Sequence, residues 1–87
     1  DGQEIVIAAA SPEEAADLLA EVRRRFLPRS VLLFRPTRDA EQLIGLSPFV
    51  ENNTAVDNMP TAWVCRNFTC EMPVHTPGEF AMLLDRR

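Results

Sequence analysis

Glu4-Ile5-Val6-Ile7-Ala8-Ala9-Ala10-Ser11-Pro12-Glu13-Glu14 decides the fold, because within it an apolar, β-branched run gives way to a helix start. The run from Glu4 to Ala9 has strand length, lies between Gly2 and Ser11-Pro12, and predicts a buried strand. Ser11-Pro12-Glu13-Glu14 has the form of a capping box, with a hydroxyl to accept an amide, proline at the first helical position and a glutamate reaching back. Beyond it, Ala15, Leu18, Leu19, Val22 and Phe26 recur every three or four residues as one apolar stripe, opposed by Asp17, Glu21 and Arg24. Leu27-Pro28 stops the helix, and Val31-Leu32-Leu33-Phe34 is a second apolar run closed by Pro36. Strand, helix and strand within about 30 residues predict a parallel, right-handed unit.

The remainder adds to that unit. Asp39-Ala40-Glu41-Gln42 offers another capping box for a short helix holding Leu43 and Ile44, with Gly45 placed as its left-handed C-terminal residue. Residues 54–56, the turn residues Asp57-Asn58 and residues 61–65 suggest a β-hairpin, with Pro60 opening its second arm. Thr76-Pro77-Gly78-Glu79 repeats the first cap ahead of Phe80, Leu83 and Leu84. The expected fold class is therefore α/β: one small domain over residues 1–87, with a mixed sheet of three to four strands and two to three helices.

Composition sets the outer bounds. At 87 residues and 46% apolar content the chain suits one domain that buries roughly 60 to 65% of its unfolded surface. It begins at Asp1, without a methionine or a signal-peptide pattern, as a piece of a longer protein would. No apolar run approaches the roughly 20 residues that cross a bilayer, so no membrane partner is expected. A net charge of −4 argues against nucleic acid. Two cysteines do not make a secreted disulfide framework, and a cytoplasmic location is expected.

Four groups of residues could carry chemistry. Residues 23–38 hold six arginines and no acid, so Arg23, Arg24, Arg25 and Arg29 are candidate anion-binding residues; the plainer reading is that they end a helix whose carbonyl dipole attracts cations. Cys65 and Cys70, with His75, are candidates for a redox pair or a metal site. Their C-x4-C spacing differs from the two-residue spacing of redox turns and zinc knuckles, and three ligands fall short of the four of a structural zinc. Pairing would require the chain to turn at Asn67-Phe68; otherwise the cysteines are small buried hydrophobes and His75 a loop histidine. The start of the first helix lacks glycines and carries Glu13 and Glu14, which disfavours a phosphate there. Trp63 suits a core or an interface. No cofactor is expected and no catalytic residue stands out.

Pro48-Phe49-Val50, Val56-Asp57-Asn58-Met59-Pro60 and above all Ala62-Trp63-Val64-Cys65-Arg66-Asn67-Phe68-Thr69-Cys70 with Pro73 resemble the carboxyl-terminal end of a thioredoxin-domain-containing family of unknown function, the one that includes the spermatogenesis-associated thioredoxin-like protein. The match is specific over residues 48–73 and looser before them. Asn58 departs from it, standing where a glycine is common, and asparagine tolerates the positive φ required. The resemblance implies a tail domain of a longer chain, behind a thioredoxin-like domain and a central helical toroid similar to sugar epimerases and six-hairpin glycosidases. It carries no catalytic residue onto this chain. It implies an accessory or interaction domain that packs on the toroid, with Phe49, Trp63 and Phe68 as candidate interface residues, other domains of the same chain as partners, and self-association of the isolated piece. A redox or metal module on Cys65 and Cys70 is the alternative.

Overall fold

The computed structural model of the chain describes residues 2–67 and 69–86. Strand β1 (Gln3–Ala9), helix α1 (Ala16–Arg23) and strand β2 (Ser30–Pro36) form the expected unit. Helix α2 (Glu41–Leu46) and two 3-10 turns, Pro48–Asn52 and Val56–Asn58, lead to β3 (Thr61–Arg66), β4 (Thr69–Cys70) and helix α3 (Pro77–Asp85). The sheet has four strands in the order β2-β1-β3-β4. β1 runs parallel to β2 and antiparallel to β3, and β3 runs antiparallel to β4, so the sheet is mixed as the sequence predicts.

Central β1 is an almost unbroken apolar run because it is covered on both faces. Ile5, Ile7 and Ala9 lie on one face with Ala62 and Val64 of β3, and pack against Ala15, Leu18 and Leu19 of the α1 region and Phe80 and Leu84 of α3. The alternate residues Val6 and Ala8, with Thr61 and Cys65, are buried on the other face. That face is covered by the long connection between β2 and β3. Arg35 donates to the Val50 and Glu51 carbonyls, Trp63 Nε1 donates to the Thr54 carbonyl at 2.9 Å, and the Val56 amide donates to Thr61 Oγ1 at 2.9 Å.

The expected hairpin is relocated. Asp57 and Asn58 adopt positive φ, at 55° and 59°, and the Met59 amide closes the turn on the Val56 carbonyl at 3.0 Å. Residues 54–56, however, form no strand: Thr61 Oγ1 and the Trp63 indole take the groups that a ladder would have used. β3 pairs instead with β1, whose apolar edge offers five consecutive partners. The hairpin that does form pairs β3 with β4, and Asn67, just past β3, sits at φ 52°.

The caps fare unevenly. Thr76 Oγ1 accepts the Glu79 amide at 3.2 Å, with Pro77 in the first turn as expected. Ser11 Oγ accepts the Glu14 amide at 3.3 Å, but residues 12–15 make tighter turns and regular helix begins only at Ala16. Asp39 caps nothing: it sits at φ 58° and α2 starts without a side-chain cap. The stripe assigned to α1 also ends early. The helix stops at Arg23, Leu27 fills the place against the core, and Phe26 is left 89% exposed.

Gly45 is not the left-handed terminator. It lies inside α2 with an ordinary φ, and a Cβ there would meet no atom within 4 Å. Gly45→Ala is therefore expected to stabilise the chain by about 0.5–1 kcal/mol, read as a higher urea midpoint at unchanged slope.

Candidate functional site

β3 ends at Arg66, and β4 brings Cys70 directly opposite Cys65. The Glu71 amide bonds the Val64 carbonyl at 2.9 Å, so the cysteines occupy the adjacent, close-approaching kind of cross-strand pair, with Cα atoms 3.9 Å apart. They form a disulfide, and neither is a free buried thiol. Cys65 is fully buried and Cys70 half-buried. Asn53, also buried, donates Nδ2–H to Cys70 Sγ at 3.6 Å, while its Oδ1 has no partner among the described residues. The bridge spans a short loop, so its reduction is expected to lower stability by only about 2 kcal/mol, measurable as the gap between urea midpoints of the oxidised and reduced chain.

His75 does not join the cysteines. Its Nδ1 lies 3.3 Å from both Thr61 Oγ1 and the Pro60 carbonyl. The Thr61 hydroxyl hydrogen already goes to the Met59 carbonyl at 2.8 Å, so Nδ1 is the protonated nitrogen and donates to these oxygens. Thr61 and Cys65 are four positions apart on a regular strand, roughly 13 Å. His75 thus fastens the far end of β3, and among the described residues no group of three His, Cys, Asp or Glu side chains is placed to hold a metal ion.

The arginine cluster divides. Arg24 pairs with Glu21 at 2.8 Å. Arg25 donates to Glu21 at 3.0 Å and, through two nitrogens, to Asp85 at 2.7 and 3.1 Å, tying α1 to α3. These bonds, the one to Asp85 foremost, hold its guanidinium protonated even more firmly than usual. Arg23 stays exposed at the end of α1. Arg29 lines a cleft of about 690 Å³ where the start of β1 meets the ends of β3 and α3, in company with Arg25, Arg66 and Arg86. Sequence reading grouped arginines by position along the chain and so missed Arg66 and Arg86. The only available signal was Arg66 standing alone in an acidic stretch.

Of the candidate interface residues, Trp63 is half-buried and held by Thr54, so it straps the long connection to the sheet. Phe49 is half-buried beside exposed Leu46 in a shallow apolar notch with Pro48. Phe68 lies outside the described residues. The large exposed apolar side chains among the described residues are Phe26, Leu46, Met59, Met72 and Met82, with Val31 and Leu32 on β2. Among the described residues no helix is long and apolar enough to cross a membrane. Compared with protein-family models, curated proteins and solved structures, the chain matches none of them.

Proposed function

We propose that this chain is an accessory interaction domain without chemistry of its own, which packs against another domain of a longer cytoplasmic protein. In the family it resembles, that neighbour is the central helical toroid. The observation that carries this reading is the edge strand β2. It has no partner on its outer side among the described residues, and it presents Val31, 54% exposed, on one face and Leu32, 42% exposed, on the other. Isolated domains normally blunt such an edge with charge, proline or a bulge. Here Val31 to Phe34 are four consecutive apolar residues, and charge and proline enter only at the strand's end, with Arg35 turned into the interior and Pro36. An open apolar edge supports pairing with a neighbour and, in its absence, self-association.

Light scattering across a concentration series tests this. The chain is expected to self-associate, and V31K combined with L32K to return it to a monomer. A wild-type chain that stays strictly monomeric at high concentration sinks the proposal.

The disulfide favours a second reading, a redox module on Cys65 and Cys70. In a reducing compartment such a pair rests as thiols and closes under oxidant. After mild reduction, alkylation is expected to label half-buried Cys70 well before fully buried Cys65. A bridge that resists reductant until the chain unfolds rejects this reading.

A further inference from the structure

Four guanidiniums from four separate stretches of chain meet at one cleft. Arg25 comes from just beyond α1, Arg29 from the loop before β2, Arg66 from the end of β3 and Arg86 from just beyond α3. Among the described residues Asp85 is the only carboxylate in the lining, in a chain whose net charge is −4. Such a concentration of like charge against the sign of the whole chain raises the local concentration of anions.

The guanidiniums are not equally spent. Both Arg25 contacts with Asp85 and its contact with Glu21 commit that side chain to holding α1 on α3. Arg86 gives one nitrogen to Glu71 at 3.1 Å. The Arg66 guanidinium makes one bond of 3.3 Å to Gln3 Oε1, and the guanidinium of exposed Arg29 makes no hydrogen bond or ion pair among the described residues. Most of the donors of Arg29 and Arg66 are therefore left for a ligand.

The floor between them is built. Gln3 is buried to 9% exposure, and its amide satisfies both ends within the cleft: Oε1 accepts from Arg66, and Nε2 donates to Ser30 Oγ at 2.9 Å. Ser30 accepts that bond and keeps its hydroxyl hydrogen to give. The Gln3 backbone N–H also donates to the Arg29 carbonyl at 3.1 Å, fixing the backbone that carries the least engaged arginine. Gln3 thus positions Arg29, Ser30 and Arg66 around one volume.

The lip adds an aromatic ring. Phe26 belongs to the lining and is 89% exposed, which removes it from the core and leaves both ring faces for contact. A cleft of about 690 Å³ is within the range of small-molecule sites. We infer that it binds a phosphate monoester carried on a flat aromatic or heteroaromatic body, with Arg29, Arg66 and Ser30 on the phosphate and Phe26 against the ring. Guanidinium forks match phosphate oxygens in pairs, and ring stacking adds selectivity for the attached body.

Titration of the chain at constant ionic strength tests this, with adenosine monophosphate, phenyl phosphate, inorganic phosphate and adenosine as probes. The two arms with a ring and a phosphate distinguish a nucleotide from a simple aryl ester, and at least one is expected to bind and raise the melting temperature. Inorganic phosphate is expected to bind more weakly, and adenosine not at all. R29A combined with R66A should weaken binding about tenfold or more. F26A should bring the ring-bearing ester down to the affinity of inorganic phosphate, and R38A, an exposed arginine outside the cleft, should change nothing. The inference is overturned if neither ester binds, if inorganic phosphate binds as tightly as the esters, or if R38A weakens binding as much as the cleft variants do.

Discussion

Phe80→Ala is expected to lower stability by about 3–5 kcal/mol, the largest loss from any single side chain in this fold. Phe80 is fully buried and is the largest side chain so enclosed. It projects from α3 into a cluster with Ile5 and Ile7 of β1, Ala62 and Val64 of β3 and Leu18 of α1, so it touches both layers at once. Its removal takes away apolar burial and leaves a cavity that small neighbours such as Ala62 cannot fill. A domain of 87 residues holds only about 4–13 kcal/mol in total. Thermal denaturation followed by circular dichroism should show a midpoint about 15–30 °C lower, with Phe80→Leu falling by much less. A loss under about 1 kcal/mol would mean that α3 does not share the core of the sheet.

Arg35→Met is expected to lower stability by about 2–3 kcal/mol. Arg35 is 8% exposed and faces no carboxylate among its hydrogen-bond partners. Its guanidinium donates to three backbone carbonyls: Val50 at 2.8 Å, Glu51 at 3.0 Å and Pro36 at 3.2 Å. Val50 and Glu51 belong to the end of the 3-10 turn Pro48–Asn52, where the Val50 carbonyl also accepts the Asn53 amide and a cation is favoured at the carbonyl end. Methionine keeps the stem and removes the donors, so the Val50 carbonyl retains only the Asn53 amide and the Glu51 and Pro36 carbonyls lose their guanidinium partner. The loss should be felt locally, with faster hydrogen exchange at the Val50 and Asn53 amides, which close that turn. Arg35→Lys should recover part of it, since one ammonium cannot span two separated carbonyls as a planar fork does. Unchanged exchange at Val50 and Asn53 in Arg35→Met would show that the long connection stands without this anchor.

Nothing local in the sequence announces Arg35's role. Its neighbours read as the end of an apolar strand, and the carbonyls it satisfies lie 15 and 16 residues further on. Trp63 is similar: a half-apolar side chain with one donor suits either an interface or a strap, and only the position of the Thr54 carbonyl decides for the strap. The left-handed turn at Asp57-Asn58 was readable because positive φ is a property of short polar side chains with their own backbone. Where its flanking arms would pair was not.

The sequence by itself determined what depends on neighbours three or four residues away. The β-branched run of β1, the stripe of α1 as far as Val22, the apolar run of β2 and the Thr76 cap of α3 follow from periodicity and from short side-chain to backbone bonds. A parallel strand, helix and strand unit follows in turn from the twist of its parts. Only the tertiary structure decided which strands flank β3, because residues 54–56 could have paired with it and are instead held by Thr61 and Trp63, while β1 and β4 take its two edges. It likewise decided that Cys65 meets Cys70, that Leu27 rather than Phe26 enters the core, and that arginines as distant as Arg25 and Arg86 share one cleft. These outcomes rest on contacts between residues far apart in the chain, whose free energies local propensity does not contain.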